Sequence, residues 1–294
     1  MSQLKKYRVI LAGLVYVFLS VVLLDLKNEI PEAYFDASLY LQFVPSLLKF
    51  ITTLNWVVLG FAIVLVLTAL FGRIYCSTLC PLGILFDLMD RIKRVLTKNK
   101  RLRYSYEKPK TVLRIAFLVI AVGSFLLGTT ALVGLLDPYS NFGRINSEMI
   151  KPVISQVNNG VASVLENVDV YTVKPVPVAT PKLGVLFYTL AFFCMVFYLA
   201  IKRGRLYCNT ICPVGTLLGG VAHFSLLKIR ITEDCISCKK CEKVCKSQCI
   251  DIDNKTVDNT RCVACFNCLQ DKVCPTNSVV FSRKKLNHKT ERNG

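Results

Sequence analysis

The sequence predicts an α-helical membrane domain of four transmembrane helices, built as two hairpins repeated in the same orientation, fused to a small cysteine-rich α+β domain. Three observations carry that prediction. The chain is 53% hydrophobic yet 19% charged, with a mean hydropathy of +0.47, too apolar for a water-soluble globule of 294 residues. A twelve-residue motif occurs twice, and eight cysteines crowd into residues 235–274.

The spans come first. Val9–Leu24 is apolar throughout, and Phe50–Phe71, Ile115–Leu136 and Leu183–Ile201 carry no charge. The last three reach the roughly 18 residues that mark a spanning helix. The first is slightly short and extends if Tyr7, Arg8 and Leu26 snorkel to the interface. A cleaved signal peptide would need a small-residue cleavage site after the first span. Asp25, Lys27 and Glu29 follow instead, so an uncleaved anchor is expected. Lys5, Lys6 and Arg8 precede that span, eleven Lys and Arg lie between Arg73 and Arg114, and the loop after span one is acidic. The positive-inside rule then places both termini in the cytoplasm, the chain in the inner (cytoplasmic) membrane, and the two other loops outside. Topology and attraction to anionic lipid account for the net charge of +18. No nucleic-acid partner is expected, because no recognition fold accompanies the basic residues.

Gly72–Gly83 matches Gly204–Gly215 at eight of twelve positions, and each copy begins where a span ends. The membrane domain therefore reads as two parallel-repeat hairpins related by a pseudo-twofold along the membrane normal. After the first copy, Ile84, Leu85, Leu88, Ile92, Val95 and Leu96 alternate with charged residues, a helical stripe suited to lying on the membrane surface. The second copy runs almost directly into the cysteine-rich region. Boundaries are expected at 1–228 for the membrane domain, 229–283 for the cysteine-rich domain and 284–294 for a polar tail. Within the second domain a hairpin is expected over 249–259 and a last strand over 277–283. Outside, residues 140–181 show no strong periodicity.

The eight cysteines fall into two sets. Cys235, Cys238 and Cys241 are spaced C-x2-C-x2-C, with Cys245 three residues further on; Cys262, Cys265 and Cys268 repeat the spacing, and Cys274-Pro275 closes the set. A cubane cluster takes four thiolates, and in two-cluster ferredoxins the fourth comes from the other motif. The spacing predicts a bacterial-type two-[4Fe-4S] ferredoxin domain, with one cluster on Cys235, Cys238, Cys241 and Cys274 and the other on Cys262, Cys265, Cys268 and Cys245. Two departures stand out: the last gap holds five residues, and Lys246 replaces the usual proline, which implies a wider loop and a more electropositive rim. Zinc ribbons use a different spacing, and a disulfide framework disagrees with cytoplasmic placement.

Cys76, Cys80, Cys208 and Cys212 form the two repeated C-x3-C-P motifs. The pseudo-twofold predicts that all four thiols meet. Three roles stay open: a redox or metal quartet holding a third metal or iron–sulfur site, reduced thiols packing a close helix contact, and thiol exchange or docking. The only histidines are His223 and His288, neither within a span, so a bis-histidine haem stack is excluded. Electrons that cross the roughly 30 Å core need a quinone, another cofactor or a partner subunit. His223 is expected as a surface or capping residue, with a hydrogen bond to a quinone as the alternative. Cys249 and Cys194 read as packed thiols. Asp137 reads as a turn residue or as a proton acceptor from a quinol. Lys239, Lys240, Lys243 and Lys246 either tune one cluster or dock an acidic partner.

The paired C-x3-C-P motifs, the Leu136-Asp137-Pro138-Tyr139-Ser140-Asn141-Phe142-Gly143-Arg144 loop and the C-terminal double set together resemble the NapH-type membrane polyferredoxins, related to the membrane parts of NosR- and CcoG-type proteins. The resemblance implies a four-span electron-transfer protein acting as a quinol dehydrogenase component, with a quinone and a second redox protein as partners. An assembly factor that reduces a metal or cofactor for another enzyme, or a redox regulator, is the competing expectation.

Overall fold

The structure is a computed structural model describing residues 2–27, 29–53, 59–96, 104–167, 169, 172–178 and 180–283. The polar tail with His288, the basic stretch from Lys98 to Arg103 and residues 54–58 near the start of the second expected span lie outside the described residues.

The first half of the chain holds α1 (Ser2–Leu24), α2 (Glu32–Tyr40), α3 (Phe43–Thr53), α4 (Gly60–Phe71), a short α5 (Tyr75–Thr78) and α6 (Pro81–Leu96). The second half repeats that order. It runs through α7 (Thr111–Leu126), α8 (Ala131–Leu136), and α9 (Pro138–Arg144), which continues by a π-helical stretch (Ile145–Ile150) into α10 (Lys151–Glu166). Then come α11 (Leu183–Arg203), α12 (Leu206–Thr210) and α13 (Pro213–His223). The repeat visible in sequence as twelve residues therefore extends over the whole helical domain.

Among the described residues, two helices are long and apolar enough to cross a membrane, Gln3–Leu24 of α1 and Leu183–Arg203 of α11. The two other expected spans are shorter as helices. α4 has 12 residues and α7 has 16, about 18 and 24 Å against a core of about 30 Å. The span expected over Ile115–Leu136 is not continuous. Gly128 takes a left-handed φ of +78°, and the N–H groups of Gly128 and Thr129 cap the carbonyls of Phe125 and Ser124, each at 3.0 Å. This paired capping ends α7, and α8 packs back against it.

The loops expected outside also fold back. In the turn between α2 and α3, Gln42 accepts from the Tyr75 hydroxyl at 3.0 Å and donates to the Leu79 carbonyl at 3.2 Å. In the second half the Tyr207 hydroxyl donates to the Leu136 carbonyl at 3.2 Å, where α8 turns into α9. Ser38 and Tyr139 join the two tips through their hydroxyls at 2.9 Å. Each half thus sends a helical hairpin inward until its polar tip meets the C-x3-C-P segment, which supplies the partners that buried polar groups require. Asp137 is the N-cap of α9, its Oδ2 accepting from Ser140 N at 2.7 Å and Ser140 Oγ at 2.8 Å. Residues 140–181, expected without periodicity, are helical as far as Glu166, and α10 turns Val153, Val157, Val161 and Val164 outward.

α6 reverses the expectation for a helix lying on a surface. Asp87 and Asp90 are buried together with Ile84, Leu85, Phe86 and Met89, while Leu88, Ile92 and Val95 are exposed. The charged side turns inward because cations from three other segments meet it there.

The smaller domain has β1 (Lys228–Ile231) antiparallel to β4 (Val279–Ser282), with Lys228 opposite Ser282 and Ile231 opposite Val279. β2 (Ile250–Asp251) pairs with β3 (Thr256–Val257), and α14 (Lys240–Lys243) makes one turn between cysteines. The expected hairpin and last strand are present; β1 was not expected. An extended stretch from Tyr104 to Lys110 lies against this domain, with Tyr104 N donating to Lys243 O at 3.0 Å and Tyr106 N to Glu242 Oε1 at 2.9 Å. Ile229, Ile250, Ile252, Phe266 and Val279 pack around the cysteines as its core.

Candidate iron–sulfur site

The two C-x2-C-x2-C loops share one backbone. Ser237 and Lys239 flank Cys238 with φ of +53 and +57, and Ala264 and Phe266 flank Cys265 with +48 and +57. Gln248, three residues after Cys245, and Asn277, three after Cys274, take +52 and +50. None of the six is glycine, so each left-handed residue costs roughly 1–2 kcal/mol. Strain repeated at equivalent positions of two loops marks a functional constraint. Backbones curled this way present N–H groups to an anion held inside the loop.

Cys245, Cys249, Cys262, Cys265 and Cys268 line one tight cavity. Cys241 lies within electrostatic reach of Cys235 and Cys274, while Cys238 is exposed. Cys245 therefore sits with the second loop and Cys274 with the first. Among the described residues, no three His, Cys, Asp or Glu side chains converge as a single ion demands. The sulfurs of the second set surround a cavity, and four thiolates around such a space can hold a cubane, in which each meets a different iron.

Cys249, expected as a packed thiol, is nearer the chemistry than its spacing suggested. Its Sγ lies 3.5 Å from that of Cys245, and this contact pulls the Cys245 thiol below its ordinary value. Lys246, expected on the rim, is buried instead. Its Nζ lies 3.1 Å from Asp87 and 2.7 Å from Asp90. Asp87 also meets Arg8 at 3.0 Å and Arg205 at 2.9 Å, so one carboxylate ties α1, α6, the second C-x3-C-P motif and the cysteine domain together. Lys239, Lys240 and Lys243 are exposed around Cys238, and Lys239 pairs with Asp253.

The four C-x3-C-P thiols are buried and belong to one packed core, which also includes Cys265. Cys80 lies within electrostatic reach of Cys76, Cys208 and Cys212. The pseudo-twofold is kept in detail. A methyl group on Gly83 would overlap the Cys76 carbonyl, and one on Gly215 would overlap the Cys208 carbonyl, so each motif folds tightly under its own helix.

Beside the second motif, an apolar cavity of about 130 Å³ opens between α3, α7 and α13, walled by Phe43, Leu47, Ala121, Phe125, Val214 and Leu217 among others. Sequence reasoning missed it, because its walls come from three segments far apart in the chain. His223 is exposed at the end of α13 and does not line it. Cys194 is exposed on α11.

The 4Fe-4S binding domain family (Fer4_5) matches residues 53–99 and 185–232, which hold one C-x3-C-P motif each. The Methanocaldococcus jannaschii protein MJ0749 is 27% identical over 235 residues, covering 78% of this chain and 72% of the relative. The ferredoxin-type protein NapH of Escherichia coli is 27% identical over 189 residues, 63% of this chain and 52% of NapH. YccM of Escherichia coli, named for electron transport, is 39% identical over 82 residues, 27% of this chain and 22% of YccM. No solved structure matches.

Proposed function

We propose that this chain, a ferredoxin-type electron-transport protein of the NapH kind, carries electrons between a membrane quinol and a partner redox protein. The doubled loop backbone around the cysteines supports this reading most directly. Cys235, Cys238, Cys241 and Cys274 would hold one [4Fe-4S] cluster, and Cys245, Cys262, Cys265 and Cys268 the other. Bound there, such clusters accept and release single electrons. The chain's own residues would hold them, burying Cys245, Cys265 and Cys268 of the second set and leaving the first set open at Cys238, where Lys240 and Lys243 suit an acidic redox partner.

The helical domain lies in the cytoplasmic membrane in this proposal, crossing it four times with both termini inside. Exposed apolar faces on α1, α10 and α11 suit lipid. The Arg8–Asp87–Lys246 contacts between α1, α6 and the cysteine domain support a common side for the start of α1 and that domain. The apolar cavity beside Val214 is the place for a quinol ring, next to the second C-x3-C-P motif.

Filling that cavity tests the assignment. Val214→Trp, in lipid vesicles under anaerobic conditions, is expected to slow quinol-driven reduction roughly tenfold or more, while reduction by dithionite stays unchanged. Equal quinol rates in the variant and the native chain would remove the cavity from the account.

A further inference from the structure

We infer that a cavity between α1 and α6 binds one anionic phospholipid, with its phosphate on Arg8 and Arg91 and an acyl chain lying along α1. The inference rests on the membrane reading above and adds to it one lipid site of stated charge.

The cavity holds about 190 Å³. Its α1 wall runs through Val9, Gly13, Tyr16 and Val17, and Ile84 and Leu88 face it from α6. The α1 positions follow the i, i+4, i+7, i+8 spacing of one helical face, so the groove runs about 12 Å from Val9 to Val17. Gly13 keeps it open, since a methyl group there would meet nothing within 4 Å. Val17 and Leu88 are exposed, which leaves the groove accessible from the lipid side.

One end of the groove is cationic. Arg8 is buried in its wall. Its amino groups donate to Asp87 at 3.0 and 3.1 Å, while its Nε is buried without a partner. Ile84 packs into the same cluster as Ala12 and Val15, and Asp87 meets Arg8, so Arg91, one turn further along α6, falls at the Arg8 end. Arg91 is exposed and meets no carboxylate among the described residues. Asp87 also lines the cavity, but it is shared by Arg8, Arg205 and Lys246 and leaves this end positive. A phosphate diester accepts from guanidinium groups, and an acyl chain removes the groove's apolar wall from water. Depth agrees with this. Arg8 directly precedes the apolar run Val9–Leu24, where a headgroup meets the start of a spanning helix. A neutral quinol fits this end less well, because three cations already occupy the carboxylate that would take its proton.

The full chain, purified anaerobically and stripped of lipid in a neutral detergent, gives the test by native mass spectrometry and thermal unfolding. Phosphatidylglycerol is expected to be retained as a single tight copy and to raise the unfolding temperature. Phosphatidylcholine with the same chains is expected to bind roughly tenfold or more weakly. Arg91→Gln, outside the buried network, is expected to weaken phosphatidylglycerol roughly fivefold, the worth of one arginine at a membrane surface. Gly13→Leu fills the groove from an open position and is expected to abolish the tight copy without lowering the unfolding temperature of the lipid-free protein. Equal affinity for the two lipids, or unchanged binding in either variant, would overturn the inference. The same temperature shift from inorganic phosphate alone would overturn it in favour of a free-anion site. A chain that enters neither detergent micelles nor vesicles would instead sink the membrane reading beneath it. Should a variant fail to fold, the comparison of the two lipids on the native chain decides alone.

Discussion

Asp87→Ala is expected to destabilise the fold by about 3–5 kcal/mol, the usual cost of removing one partner from a buried charge network. Arg8, Arg205 and Lys246 all lose their shared carboxylate, and only Asp90 remains to meet Lys246. Burial pushes the Asp87 carboxyl up, but Arg205, Lys246 and Arg8 outweigh burial and hold it well below the usual range. Its stabilising contribution is therefore full above about pH 4, the unfolded value, and is lost only as pH falls further. The exposed Lys49–Asp36 pair, at 2.7 Å, is the contrast. Asp36→Ala is expected to cost under about 1 kcal/mol despite its shorter distance. Thermal unfolding of both variants in detergent measures the difference. Equal small losses would show that the Asp87 network carries little stability.

Cys245→Ser and Cys249→Ser are expected to differ sharply, although their sulfurs are 3.5 Å apart and line the same cavity. Losing Cys245 removes one of four ligands and is expected to abolish about four irons and the electron transfer that depends on them. Losing Cys249 is expected to leave the iron content unchanged and to shift the potential of that cluster, because a thiol beside a ligating sulfur tunes it. Iron analysis with potentiometric EPR separates the two. Iron loss in Cys249→Ser with retention in Cys245→Ser would exchange their roles.

What the sequence made legible was local. The two C-x2-C-x2-C spacings, the short hairpin between them and the duplicated C-x3-C-P segment are each written in a dozen residues or fewer. The inward-folding hairpins were hidden. Ile115–Leu136 has no charge, so its hydropathy reads as one span, and only Gly128 marks the break. α2 is partly polar, and α3 merges into the apolar run that follows. Asp87 resembled the wet side of an amphipathic helix because its partners Arg8 and Lys246 lie 79 and 159 residues away, beyond any periodic signal. Lys246 was misplaced for the same reason. Arg73 and Arg205, each of which donates to a cysteine carbonyl of the other motif, by contrast stand in the repeat itself as Gly72-Arg73 and Gly204-Arg205. Their duplication beside paired cysteines was the signal that could have found them.

The central claim, that this chain passes electrons from quinol to its iron–sulfur cysteines, meets its most direct test in anaerobic EPR of the native protein in lipid vesicles. Adding a quinol is expected to bring up signals of reduced [4Fe-4S] clusters, and Val214→Trp to suppress them. Clusters that dithionite reduces but quinol never does would contradict the claim.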